Sequence, residues 1–147
     1  MKEDKTTKKE ALEALAATLR KWQGIEDGSV ALTTSVIAKT KNPLIRLVME
    51  IIQQDSVMHK KVQQAILDSL ETEAFSLQPE ELAEIWDMIE QHDEAEKNAI
   101  RLAEEARDNC PLVIQRQLLD YLIQDEKKHD RLMSNLEDFK RRIHPYA

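Results

Sequence analysis

The sequence predicts an all-α protein folded as an antiparallel four-helix bundle. Three observations carry this. The 147 residues include only 2 Gly and 4 Pro, the residues that punctuate strands and turns, and 33% of them are charged, a long-helix composition. Apolar residues recur at three- and four-residue spacings in four separate segments. The length suits one domain with one core, and segments of roughly 25 to 33 residues would each be about 40 to 50 Å long.

The first segment runs from about Thr7 to Lys39, with Leu12, Leu15, Leu19, Trp22, Val30 and Ile37 on its stripe. It stops at Asn42 and Pro43, because proline forces the preceding residue out of the helical region and then opens the next helix. The second carries Leu44, Val48, Ile52, Val62 and Ile66 and fades near Glu71. A short connection, Thr72 to Gln78, holds Phe75 and Leu77. Pro79, Glu80 and Glu81 suit a helix first turn, since proline needs no donor there and acids complement the dipole. The third segment then carries Leu82, Ile85, Ile89, Ile100 and Leu102 and ends between Asp108 and Pro111. The fourth carries Leu118, Leu122, Leu132, Met133 and Leu136 and is expected to fray into Ile143, His144 and Pro145.

Charge and cysteine content exclude several functions. A net charge of −7 provides no basic stripe to displace counterions from phosphates, so no nucleic-acid partner is expected. Lys2 to Lys9 includes two acids, and Lys140, Arg141 and Arg142 are too few for a binding tail; both suit solvated helix ends. The lone Cys110 excludes a disulfide framework or a cysteine zinc site within one chain and is expected to be inert. No run of 18 apolar residues and no apolar N-terminal leader is present, so no membrane partner is expected and the protein is expected to be cytoplasmic. Phosphate-loop, dinucleotide-loop, nucleophile-elbow and HExxH motifs are missing.

Sliding the chain against itself by seventy residues aligns its halves, about 8–71 and 78–141. Apolar positions coincide, as amphipathic helices readily do. More telling are the polar matches: Glu26 on Glu96, Arg46 on Arg116, Gln54 on Gln124, Asp55 on Asp125 and His59 on His129. The chain is thus expected to be one helical hairpin used twice.

Several of the matched residues fall on apolar seams. In the fourth helix Leu122, Glu126, His129 and Met133 advance by threes and fours; Glu26 and Glu96 interrupt the stripes of the first and third helices. Each Glu falls near mid-helix, at the level His59 or His129 reaches after its hairpin turn. Buried carboxylates and imidazoles cost several kcal/mol each unless paired or bound to a cation. Such ligands suit iron, manganese and zinc.

With these residues in view, the sequence resembles the ferritin-like superfamily of rubrerythrin and bacterioferritin type, over all four helices. That superfamily draws one Glu from each of two helices and a Glu-x-x-His from each of the other two. The resemblance assigns Glu26 and Glu96 to the single Glu positions, and Glu126 with His129, in QDEKKH, to the fourth-helix motif. The second helix, in QDSVMH, keeps Asp55 and His59 but has Ser56 where the family places its second bridging Glu. A hydroxyl supplies neither charge nor strong ligation. Glu26, His59, Glu96, Glu126 and His129 are therefore expected to hold one iron or manganese ion, or a poorly matched pair, and metal binding is expected ahead of oxygen activation. If active, the resemblance implies an oxidase or peroxidase in iron handling or oxidative stress. Ferritin-like folds also run helices two and three in the same direction. Seven residues reach at most about 25 Å, so either helix two ends early, near Leu67, or the bundle is up-down-up-down.

Two other readings stand beside this one: a metal-free bundle serving as an interaction or assembly module, and a charged helical scaffold that dimerises through a helix face. A homo-oligomer, a dimer above all, is expected. His92, at the position of Trp22, is expected to be a surface or partly buried histidine, and Trp22 and Trp86 core or rim aromatics. Met58, Met88 and Met133 are expected to fill the core. Gly24 and Gly28 bracket Glu26 in mid-helix, for close packing, for a bend, or for a ligand's approach to Glu26.

Overall fold

The computed structural model describes residues 2–142, with side chains from Thr7 onward; the expected fraying at Ile143, His144 and Pro145 lies outside the described residues. The described chain is all-helical. It has four helices, α1 (Lys2–Lys39), α2 (Pro43–Glu71), α3 (Pro79–Asp108) and α4 (Val113–Arg142), and no strand. None of the helices is long and apolar enough to cross a membrane. Two compact units result, Met1–Ala74 and Phe75–Ala147, and each is a helical hairpin.

The helix ends follow local chemistry. Asn42 caps α2, its side-chain oxygen accepting from the backbone N–H groups of Leu44 and Ile45 at 2.9 and 3.2 Å, with Pro43 in the first turn. These are donors that a helix start otherwise leaves unpaired. Helix α3 opens on Pro79 with Glu80 and Glu81 in its first turn, so the dipole rather than a side-chain cap supports it. Lys140, Arg141 and Arg142 occupy the last turn of α4, where cations are favoured. Helix α2 continues to Glu71, so the early stop near Leu67 does not occur: Leu67 is buried against α1 with Leu19 and Ala16, and burial holds the last turn.

Within each hairpin the helices are antiparallel. In the first, Arg20 pairs with Glu71, Asp27 with Lys60 and Thr34 with Gln53, numbers rising on one helix as they fall on the other. In the second, Lys140 lies over the Trp86 ring, His129 contacts Glu96, and Arg107 pairs with Asp120.

The seam of the first hairpin is more polar than the apolar stripes suggest. Beside Ala16, Leu19 and Leu67 it buries Glu26, Thr33, Ser56 and Gln63. Stripe residues such as Leu12, Leu15, Ile52 and Val62 stay exposed. The reason is geometric: two helices crossing along one line cover a narrow strip of each, whereas the apolar arc is wider than that strip. In the second hairpin, Leu82, Glu96 and the fully buried Ile123 lie in the seam.

Candidate metal centre

Glu26 is placed by the pitch of α1, seven residues from Leu19 and from Thr33, so all three face α2. Glu26 is 6% exposed, and its carboxylate lies 3.4 Å from Nδ1 of His59 on α2, an imidazole that is itself largely open to solvent. The position expected to carry a bridging carboxylate, Ser56, is also buried, and its hydroxyl bonds that of Ser29 at 2.9 Å. This seam therefore satisfies its polar atoms at that level with hydroxyls.

The second hairpin repeats the pair. Glu96, 7% exposed, lies 3.3 Å from Nδ1 of His129 on α4. Shifting both members of Glu26–His59 by seventy gives Glu96–His129, in contact through the same atoms at nearly the same distance. Here, however, the position of Ser56 is Glu126, whose carboxylate is 3.9 Å from the same Nδ1. Glu96, Glu126 and His129 each bring one ligand atom to within 4.8 Å of the others. The other ring nitrogen of His129 faces Asp125 at 3.8 Å, so the two acids of QDEKKH lie toward opposite sides of the imidazole.

Five residues were singled out in the sequence. The second hairpin brings three of them together, Glu96, Glu126 and His129, and the first brings together Glu26 and His59. One contact was not expected: His92 Nε2 is 2.8 Å from Glu96, closer than His129. Its signal was available, since residues four apart on a helix face the same way, but comparison with Trp22 pointed to surface packing instead.

A second unexpected group adjoins this site. Asp93 and Asp130 face each other across the hairpin, and their carboxyls are shifted in opposite directions. A hydrogen bond to Asp93, followed by burial and by the charge of Asp93, holds the Asp130 carboxyl above its ordinary value. The same bond, with Lys97 at 3.2 Å and the charge of His92, holds Asp93 below its ordinary value against burial. Asp93 Oδ1 is buried and has no hydrogen-bond partner among the described residues.

Two of the methionines differ from expectation. Met58 and Met88 are exposed and are not core fillers, because they lie off the narrow seams; Trp22 is half exposed. Trp86 is partly buried under Lys140 and donates to Glu90. A Cβ added at Gly24 or Gly28 meets nothing within 4 Å, so packing within the hairpin does not require either glycine. Cys110 Sγ lies 3.7 Å from the Leu112 carbonyl, between α3 and α4. Compared with protein-family models, curated proteins and solved structures, the chain matches none.

Proposed function

We propose that this protein is a ferritin-like metal-binding protein, with iron or manganese held by Glu96, Glu126 and His129 and the Glu26–His59 pair as a reduced counterpart. The observation that supports this most is the convergence of two carboxylates and one imidazole, within 4.8 Å of one another, on a nearly buried Glu96. The donor set fits the ion. Metal–ligand bonds of about 2.0–2.2 Å put neighbouring ligand atoms about 3 Å apart, and Glu96 and His129 are already 3.3 Å apart. Asp125 faces the nitrogen that would not bind, the place of an orienting carboxylate. Bound iron would supply the redox chemistry of an oxidase or peroxidase. The residues of the chain hold the charge, orient the imidazole and shield Glu96 from water.

In this reading the two hairpins close as an antiparallel four-helix bundle. What supports it is the apolar arc common to both repeats, Leu15 with Ile85, Ile52 with Leu122 and Val62 with Leu132, every member of which is exposed. Solvent-exposed apolar arcs of that kind need cover.

The rival is a metal-free bundle acting as an interaction module. It has support of its own, because both buried glutamates already have imidazole partners and Ser56 has Ser29. Elemental analysis separates the two. Protein prepared without chelator, or reconstituted with iron or manganese, is expected to carry about one metal equivalent per chain, and Glu126→Ala to lose it. No bound metal after reconstitution, with unchanged thermal stability, sinks the metal reading, and Glu126→Ala is then neutral or stabilising.

A further inference from the structure

We propose that the outer face of α2 is the surface through which two copies of this chain pair, antiparallel, about a twofold axis at the level of Ser56. The proposal does not depend on the metal reading.

The face is fixed by the hairpin seam. Contacts with α1 run through Gln53, Ser56, Lys60 and Gln63. At about 100° per residue, Leu47, Gln54, Met58 and Ala65 all lie within about 20° of the direction opposite Ser56. Leu47 and Met58 are 43% and 54% exposed.

The repeat serves as an internal control. At the positions of Leu47, Met58 and Ala65, α4 carries Gln117, Lys128 and Asn135. Any pairing of the two repeats through equivalent faces draws on apolar positions that both share. The back of α2 is apolar where the back of α4 is polar, so it answers to another contact, and an arc wider than one partner needs signals a second.

That contact is self-complementary. A twofold axis at residue 56 sets Leu47 of one copy against the small Ala65 of the other, and Gln54 against Met58. On one flank Glu50 meets Lys61, and the pair forms twice. Same-flank positions meet in an antiparallel helix pair, and isologous contacts repeat each pairing. Glu50 and Lys61 are both exposed and, among the described residues, take no part in the ion pairs of the first hairpin. Opposite charges that are idle in one copy and matched in two are the charge complementarity expected of a dimer surface. Roughly six residues a side is below the about 20–30 of a standard interface, so the dimer is weak and depends on concentration.

Sedimentation velocity on the full chain over a concentration series, with chelator and reductant present, tests this. The mass is expected to rise from 17.0 kDa toward twice that value. Leu47→Gln with Met58→Lys, the residues α4 uses at those positions, is expected to raise the dissociation constant at least tenfold while far-UV circular dichroism stays unchanged. Glu50→Lys alone weakens the dimer by setting like charges together, and adding Lys61→Glu restores it. A chain that stays monomeric throughout, or a dimer indifferent to Leu47→Gln/Met58→Lys, overturns the proposal. So does a charge reversal that the second substitution does not rescue.

Discussion

Asp130 and Asp93 show how two residues of the same type acquire different chemistry from their surroundings. Asp130 is raised, so the stability it contributes is complete below the ordinary carboxylate value of 3.8 and is lost as pH rises through its raised folded value. Asp93 is lowered, so its contribution is present above that value and is lost as pH falls through its own. His92, Glu96 and Lys97 are the charged groups around the pair. Asp130→Asn gives Asp93 a donor that does not titrate. In chelator-treated protein the melting temperature of the variant is therefore expected to gain on the native chain as pH rises from about 4 to about 7. A difference that stays flat over that range would rule out the upward shift of Asp130. The pair was not legible in the sequence: Asp93 and Asp130 do not stand at equivalent repeat positions, and only the hairpin crossing brings them together. The His59–Glu26 and His129–Glu96 contacts were more legible, because a polar residue interrupting an apolar stripe at mid-helix is visible in one dimension.

At the scale of helices, the boundaries were largely written in local chemistry. Pro43 and Pro79 each stand where a helix begins, and Asn42 supplies the cap that a proline-led helix needs. The seam between α1 and α2 was less legible. Periodicity marks a wide apolar arc, whereas pairing selects a strip of it, and in this hairpin the strip takes in Gln63. Its amide is buried, and neither Nε2 nor Oε1 has a hydrogen-bond partner among the described residues. The α4 counterpart is Met133, of similar volume with no group to satisfy. Gln63→Met is accordingly expected to stabilise the chain by about 1–3 kcal/mol, the cost of leaving such a group unpaired. A urea titration should show a higher midpoint with an unchanged slope; a lower midpoint would mean that the amide has a partner when the protein is in solution.

The whole molecule consists of two hairpins joined by residues 72–78, of which Thr72 to Ser76 are exposed. Proteases are expected to cut first in this connection, because exposed loop segments accept the extended conformation that cleavage requires, whereas helices do not. If the hairpins close into one bundle, the two fragments remain together on size-exclusion chromatography and part only in denaturant. Separation under native conditions counts against the bundle.

The sequence by itself determined that the chain is helical, where α2 and α3 begin, and which polar residues interrupt the apolar stripes. These follow from backbone sterics, capping and a 3.6-residue period, all of which act over a few neighbouring positions. Only the tertiary structure decided that His92 joins His129 on Glu96, that Asp93 meets Asp130, that Ser56 is answered by Ser29, and that Leu47 and Met58 lie on the back of α2. Those outcomes depend on the line along which two helices cross. Many side chains set that line together, and no single stretch of sequence contains it.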